Sequence, residues 1–247
     1  MTYCVGVLLK DGMVLASDTR TNAGLDHISV FKKMYTFGVE GERVIILMTA
    51  GNLATSQAVV NRLRRDIRHD EGMHLLNIPS LSEAADMIGN YATEIAKQTR
   101  HKSGMSQDSN GFGSTFLLAG QIKGHGPRLY MIYNEGNSIY ATRDTPFFQI
   151  GESKYGKPIL DRAIHYESDI NDAVRAVLVS FDSTVRSNLS VGFPMDLMVY
   201  HNDSLKIPKG KRLTENDPYF HNIRSQWSQG LLDILRRFDT PPADYLE

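Results

Sequence analysis

The chain has 247 residues, of which 41% are hydrophobic and 22% charged, and a formal net charge of −1. This composition is ordinary for a soluble globular protein, and the balanced charge argues against nucleic-acid binding, which normally requires a basic patch. No stretch approaches the roughly 20 apolar residues of a membrane span, and the N-terminus lacks the pattern of a signal peptide. The single cysteine, Cys4, cannot form an intrachain disulfide, so we expect a reducing, cytoplasmic setting.

The N-terminal part of the chain is predicted to form β-strands, because short apolar runs alternate with turn signals such as Asp11-Gly12. The period then changes. Apolar residues recur every four positions in 54–69, which predicts an amphipathic helix, and Ser80 with Glu83 predicts a capping box at the start of a second helix. The predicted strands are 3–9, 13–16, 34–37, 44–48, 114–122, 128–133, 138–142 and 195–200. The later predicted elements are a loop at 103–113 and helices at 154–165, 170–185 and 218–238.

Strands, a helix pair, strands and a second helix pair follow one another in this order. Segregated runs favour an α+β layered fold over alternating βαβ units, and two sheets packed face to face with helices outside would bury both strand groups. No linker marks a boundary, so we expect a single domain over 1–247, with a C-terminal extension from about residue 208.

Thr2 is the first candidate for catalysis. A threonine hydroxyl is a poor nucleophile at neutral pH and needs an adjacent base. A free α-amino group on the same residue has a pKa of about 7.7–8.0, which suits it to take the hydroxyl proton. Removal of Met1 would expose this amine. Many proteins begin Met-Thr by chance, so Thr2 alone does not define a site.

Polar residues also lie around the second and third predicted strands. Asp18 and Arg20 follow the second strand, where a sheet presents polar groups at its edge, and Asp18 can hold an ammonium group in its charged form. Lys32 and Lys33 precede the third strand, and alternation allows only one of them to face a site. A capped turn and an exposed lysine pair are the ordinary explanations for these residues.

Thr49-Ala50-Gly51-Asn52 connects a predicted buried strand to a helix. Small residues let a substrate approach the backbone, and free N–H groups at such a junction can bind an oxyanion. Gly-Asn is also an ordinary strand-to-helix turn, so this segment is a candidate only in combination with the others.

In combination, these features resemble the proteasome β-subunit family. Five elements fall in register: Thr2, Gly12 in the first hairpin, Asp18 and Arg20 with Gly24, Lys33 after a second lysine, and Ala50-Gly51 before a helix. The resemblance implies a four-layer αββα sandwich of the N-terminal-nucleophile hydrolase type, and a threonine peptidase that acts in a closed or spiral ring. It implies that Thr2 is the nucleophile, with Asp18 and Lys33 completing a triad. It also implies that the Gly51 N–H forms the oxyanion hole.

Two later segments depart from the family pattern. Where members carry Gly-Ser-Gly before the third helix, this chain has Gly151-Glu152-Ser153, so Glu152 aligns with the usual supporting serine. Where members carry Asp-x-x-Ser, this chain keeps the serine as Ser190 but has Ser187 in place of the acid. Glu152 either restores the missing negative charge or disturbs proton transfer. These departures, with the extended C-terminal region, most resemble the bacterial Anbu subgroup.

Three functions remain open from the sequence: a threonine peptidase acting on peptides or proteins, a specialised amidohydrolase of the same superfamily, and a catalytically weak ring scaffold. We expect no cofactor, and the eight histidines fall in no ligand spacing, so we expect no metal site. Self-association into a homo-oligomeric ring or spiral is expected, without nucleic-acid or membrane partners.

Overall fold

Two five-stranded sheets form the centre of the molecule in the computed structural model, which describes residues 1–22, 28–70, 72–103 and 110–246. The first elements are β1 (Tyr3–Leu8), β2 (Gly12–Asp18), β3 (Arg20–Asn22), β4 (Ile28–Val30), β5 (Met34–Val39), β6 (Arg43–Gly51), α1 (Leu53–His69) and α2 (Leu81–Ser103). The later elements are β7 (Ser114–Ile122), β8 (Arg128–Ile132), β9 (Ser138–Tyr140), β10 (Phe147–Gly151), α3 (Lys157–Ala163), α4 (Ile170–Ser187), β11 (Met195–His201), β12 (Lys211–Leu213) and α5 (Pro218–Arg237). Gly24 and most of the predicted loop at 103–113 lie outside the described residues.

The first sheet has the order β10-β1-β2-β11-β12 and is antiparallel throughout. Val5 of β1 lies between Gln149 of β10 and Ala16 of β2. Both β1 and β2 are buried along their whole length. Strands covered on both faces carry continuous apolar runs instead of alternating ones, which explains the sequence pattern at the N-terminus.

The second sheet has the order β5-β6-β7-β8-β9 and is also antiparallel. Its longest pairing joins β6 to β7, from Arg43 opposite Ile122 to Gly51 opposite Ser114. All of β6 except Gly51 is buried, so this strand carries the chain through the core and delivers its last residue to the surface.

Three apolar clusters hold four layers together. One cluster lies between the sheets and includes Leu15 of β2 and Ile46 of β6. A second, which includes Leu63, joins α1 and α2 to the second sheet. A third, which includes Leu160 and Phe181, joins α3 and α4 to the first sheet. The predicted αββα sandwich is therefore confirmed.

Side-chain caps begin four of the helices. The carboxylate or amide oxygens of Asn52, Asp169 and Asp217 accept N–H bonds in the first turns of α1, α4 and α5. Ser80 Oγ accepts the Glu83 N–H over 3.2 Å and lies 3.2 Å from the Glu83 carboxylate, which confirms Ser80 as the predicted cap before α2. Among the described residues, the helices fall short of the combined length and hydropathy that crossing a membrane requires.

The first half of α5 is anchored by a buried ring and an ion pair with a buried carboxylate. Phe220 is fully buried with its ring 5.0 Å from that of Phe193, and Arg224 donates to the buried carboxylate of Asp182 over 2.6 Å. Farther along the helix, Leu235 is 61% exposed. The second half of α5 therefore presents an apolar face that a single chain does not cover.

The sequence prediction missed the short strands β3, β4, β10 and β12, which have three to five residues each. Such strands are too short to establish a period, and β10 exists because β1 pairs with it across most of the chain. Helix α3 is shorter than predicted and begins at Lys157, with Pro158 in its first turn. Proline is tolerated there because the first N–H groups of a helix have no intrahelical partner.

The contact between α2 and the turn after β8 generates a prediction. A Cβ at Gly89 of α2 would overlap the carbonyl oxygen of Gly136, whereas a Cβ at Gly230 of α5 would meet no atom within 4 Å. We predict that Gly89→Ala lowers the free energy of unfolding by about 1–3 kcal/mol. Gly230→Ala should raise it by about 0.5–1 kcal/mol, because alanine is the better helix former. Chemical denaturation measures both, and effects of equal sign would contradict this packing.

Candidate active site

The carboxylate of Asp18 lies at the end of β2, beside the first residue of β1. The Tyr3 amide donates to Asp18 Oδ1 over 3.0 Å, and Asp18 is fully buried. The two strands pair with Cys4 opposite Ser17, so Asp18 reaches the point at which β1 begins. The main chain that leads back to Thr2 is thereby fixed to a buried acid.

Lys33 supplies the opposite charge. Its Nζ donates to Asp18 Oδ1 over 2.8 Å and to the Arg20 carbonyl over 2.6 Å. Its own carbonyl accepts the Thr49 N–H over 3.0 Å, which extends the pairing of β5 with β6 by one residue. Lys33 is 3% exposed, whereas Lys32 lies on the surface. Of the two neighbouring lysines, Lys33 is the one that contacts Asp18.

Burial and pairing act in opposite directions on this ion pair. Burial raises the pKa of the Asp18 carboxyl above its ordinary value, and the Lys33 ammonium and the Tyr3 amide oppose that rise. Removing either charge from such a pair is costly, because the remaining charge is buried without compensation. The pair therefore fixes the Lys33 ammonium at the end of β2.

Thr2 is held on its carbonyl side by main-chain contacts. Its carbonyl oxygen accepts the Glu152 N–H over 2.6 Å, and the next residue, Tyr3, donates to Asp18. Gly151 permits this approach because its φ is +83° and any Cβ there would overlap the Thr2 carbonyl oxygen. Thr2 itself is half-buried, so its backbone is fixed while its side chain retains access to solvent.

Gly51 lies at the same edge, where β6 passes into α1. Its φ is +102°, and a Cβ there would lie 2.6 Å from the Gly113 carbonyl oxygen. Asn52 follows as the cap of α1 and donates its N–H to that same oxygen over 3.0 Å. Thr49, two residues earlier, contacts the main chain of Lys33. The backbone of Gly51 is thus held in a conformation that favours glycine, close in sequence to a Lys33 contact.

Arg20 joins this centre to the loop after α4. Its carbonyl accepts from Lys33, and its Nη1 donates to the Leu189 carbonyl over 3.2 Å. A Cβ at Gly192 would overlap the Arg20 guanidinium, so a side chain at that position would displace Arg20. Arg20 therefore contacts both Lys33 and the loop after α4 and links the two.

Glu152 and Asn188 form a chain of hydrogen bonds that begins at Thr2. The Glu152 side chain is buried; its Oε1 accepts the Lys154 N–H over 2.9 Å, and its Oε2 accepts Asn188 Nδ2 over 2.7 Å. Asn188 Oδ1 in turn accepts the Ser190 N–H over 2.9 Å. The expected serine therefore joins the site through its main chain, and an asparagine links it to the acid.

The other two expected supporting residues lie on outer surfaces. Ser187 is the last residue of α4, is exposed, and lines a groove beside Trp227 of α5. Ser153 is also exposed and lines a cavity with Phe147. Asn188 was not singled out from the sequence, and its only signal was its position between the end of a predicted helix and Ser190.

Comparison with known proteins agrees with this architecture. Residues 2–199 match the family model described as Proteasome subunit. The chain is 52% identical to a solved Pseudomonas aeruginosa protein described as a helical assembly of the Anbu complex, over 98% of this chain and 99% of that one, with a TM-score of 0.93. It is 46% identical to Anbu from Yersinia bercovieri, over 97% and 98% of the two chains, with a TM-score of 0.91. It is also 22% identical to a proteasome subunit beta of Haloquadratum walsbyi, over 87% of this chain and 79% of that protein.

The αββα sandwich, with the start of β1 at the edge of both sheets, defines the class of N-terminal-nucleophile hydrolase folds. Within that class, the chain belongs to the proteasome subunit family and to its Anbu group. The resemblance inferred from the sequence is confirmed.

The two adjacent lysines provide a matched test of the buried pair. We predict that Lys33→Met lowers the free energy of unfolding by about 3–5 kcal/mol at neutral pH, because Asp18 is left buried without its counter-charge. Lys32→Met should change it by less than about 0.5 kcal/mol, since Lys32 is exposed.

The pH dependence of this effect follows from the Asp18 pKa, which burial raises. Without Lys33, the neutral carboxyl is the form that the folded state tolerates, so the destabilisation should be smallest in acid and grow as the pH rises through the raised pKa. Denaturant unfolding of both variants across pH measures this, and a pH-independent loss would contradict the assigned pair.

Proposed function

We propose that the chain is a threonine-type peptidase of the proteasome family, with Thr2 as its nucleophile once Met1 has been removed. The observation that carries this proposal is the shared acceptor, Asp18 Oδ1, which binds both Lys33 Nζ and the Tyr3 N–H. A buried cation and the residue after Thr2 are attached to one oxygen atom. Buried charged groups with a specific charge partner cluster at functional sites.

The proposed reaction proceeds through an acyl-enzyme. Thr2 Oγ attacks the carbonyl carbon of a peptide bond while its proton passes to the α-amine of the same residue. The amine then gives this proton to the leaving nitrogen as the peptide bond breaks, which leaves an ester on Thr2. Water attacks the ester and regenerates the hydroxyl.

Fixed charges and dipoles would stabilise these steps. The Lys33 ammonium lowers the pKa of the nearby hydroxyl, and Asp18 keeps that ammonium in place. We assign the Gly51 N–H to the oxyanion that forms on the substrate carbonyl. We assign Ser190 a supporting role at the N-terminus, with Arg20 holding its loop. The substrate class is a peptide or protein, and the single buried cysteine suits the reducing cytoplasm.

A second candidate is a specialised amidohydrolase with the same nucleophile. It is favoured by Glu152, whose carboxylate stands where family members carry a serine, and which could recognise a substrate amine. A catalytically weak scaffold is the third candidate, and it gains weight if Met1 stays attached, because Thr2 then has no free amine.

Labelling at Thr2 tests the proposal. We expect the purified protein to have the mass of a chain that begins at Thr2 and to gain one equivalent of an epoxyketone or β-lactone. Thr2→Ala should gain none, and Lys33→Ala should react at least about a hundredfold more slowly, whereas Lys32→Ala should react like the wild type.

Two results would contradict a role in catalysis: a retained Met1, or a mature protein that takes up no inhibitor. Digestion of a peptide library by a protein that does take up inhibitor would then separate the peptidase from the specialised amidohydrolase, which would leave ordinary peptides intact.

We further propose that the chain assembles with copies of itself into a ring or spiral. The exposed half of α5 supports this, because Leu231, Leu232 and Leu235 present an apolar face to solvent. Beside it, a groove of about 710 Å³ between α3, α4 and α5 is lined by Val179 and Trp227. Exposed apolar surfaces of this kind usually mark subunit contacts.

Charge substitutions on α5 test the assembly. Leu231→Asp combined with Leu235→Asp should reduce the mass of the assembly in light scattering and leave the circular dichroism spectrum unchanged. Ile139→Asp, on the exposed edge strand β9, should have no such effect. An undiminished assembly in the α5 variant would exclude this face as the contact.

A further inference from the structure

We infer that Glu152, held in place by Asn188, binds and orients the α-amino group of Thr2, so that both are positioning residues. The catalytic consequence of this inference rests on the proposed function, whereas the binding of the amine does not.

The contacts of this pair lie on both sides of the Thr2 nitrogen. On one side, the Glu152 N–H binds the Thr2 carbonyl oxygen over 2.6 Å. On the other side, Asn188 Nδ2 lies 3.9 Å from the sulfur of Met1. Since Asn188 Nδ2 also binds Glu152 Oε2 over 2.7 Å, the acid and the amide form one unit that contacts both residues joined by the peptide bond that Met1 removal would break. The amine created by that removal would face them.

The Glu152 carboxylate is built to stay charged. Burial alone would raise its pKa, but N–H groups of Lys154, Asn188 and Ser153 outweigh this effect and hold the pKa below its ordinary value. A carboxylate has about four acceptor sites, and among the described residues Glu152 Oε2 accepts one hydrogen bond, from Asn188. Glu152 Oε2 can therefore accept a further hydrogen bond from the ammonium group of Thr2.

The other charged groups around the terminus already have partners, although Asp18 Oδ2 is buried without one among the described residues. Asp18 Oδ1 accepts from both Tyr3 and Lys33. Arg20 donates to the Leu189 carbonyl. Lys154 acts on Glu152 through its main-chain N–H and its positive charge. Of the two carboxylates that adjoin the start of β1, Glu152 is the one to which no cationic side chain of the described residues is hydrogen-bonded.

This arrangement also accounts for the departures at 152 and 187. The resemblance places an acid at the end of α4 and a small hydroxyl at the end of β10. Here the end of β10 carries the acid, and the first residue beyond α4, Asn188, carries the matching donor. Ser187 faces α5 instead. The site therefore keeps one negative charge near Thr2. In this chain the charge comes from the end of β10 instead of the end of α4.

An adjacent carboxylate favours the ammonium form and raises the pKa of the amine. The α-amine of Thr2 should then have a higher pKa than it would have without the Glu152 charge, and less of it should be free at neutral pH. Removal of the Glu152 charge should reverse this shift, whereas loss of Asn188 should leave the charge present but poorly oriented.

The experiment uses the full chain with Thr2 as its verified first residue. The rate at which an amine-reactive reagent labels the terminus is followed by mass spectrometry across pH, which gives the pKa of the amine without requiring activity. Glu152→Gln should label about three- to tenfold faster than the wild type at neutral pH. Glu167→Gln removes an exposed carboxylate paired with Arg143 and should label like the wild type. Thermal unfolding verifies that each variant is folded.

Inhibitor uptake is measured on the same variants. In Glu152→Gln, the acid limb of the pH–rate profile should move to lower pH together with the amine pKa. Asn188→Ala should keep an amine pKa no lower than that of the wild type but react about tenfold more slowly, because orientation is lost. An unchanged amine pKa in Glu152→Gln would overturn the inference. If Glu152→Gln lowers the amine pKa but the wild type takes up no inhibitor, the inference is upheld and the proposed function is refuted instead.

Discussion

A single oxygen atom, Asp18 Oδ1, is the point on which the geometry of the candidate site depends. It accepts one hydrogen bond from the first residue of β1 and another from Lys33, which begins the pairing of β5 with β6. β1 and β2 belong to one sheet and β5 to the other. The ion pair therefore joins the two sheets at the ends of these strands and fixes the start of β1 relative to both sheets.

Burial makes this constraint strong and also makes it demanding. A charge removed from water is tolerated only with a partner and with its remaining donors or acceptors matched. Lys33 uses two of its three donors for this purpose, on one carboxylate oxygen and on the Arg20 carbonyl. Because Arg20 also holds the loop after α4, the requirement of the lysine extends to the segment that carries Ser190. Hydrogen bonds thus connect β2, the start of β5 and the loop after α4 into one network.

The glycines at strand ends serve the same geometry. Gly151 permits the Thr2 carbonyl to reach the Glu152 N–H, and Gly51 turns the backbone from β6 into α1. At both positions φ is positive and neighbouring backbone fills the place of a side chain. The strands supply a rigid frame, and the glycines let main-chain groups approach the space that a substrate would need.

The sequence by itself determined the elements whose signals are local. Continuous apolar runs gave β1, β2 and β6, four-residue spacing gave α1, and Ser80 with Glu83 gave the start of α2, because burial on both faces, helical period and capping all act within a few residues. It also placed Asp18, Lys33 and Gly51 in an order that identified the family. Short strands such as β10 were missed, since a distant partner creates them.

Only the tertiary structure decided which side chains meet. Ser187 and Asn188 are neighbours in the chain, but the first ends a helix and faces α5, while the second has an extended backbone and reaches Glu152. Successive helical residues point about 100° apart, so a step of one residue at a helix end changes the surface that a side chain meets. Spacing along the chain cannot show which of the two neighbouring residues contacts Glu152. The packing of α4 against the start of β1 and the end of β10 resolves it, and it makes Asn188 the partner of Glu152 beside Thr2.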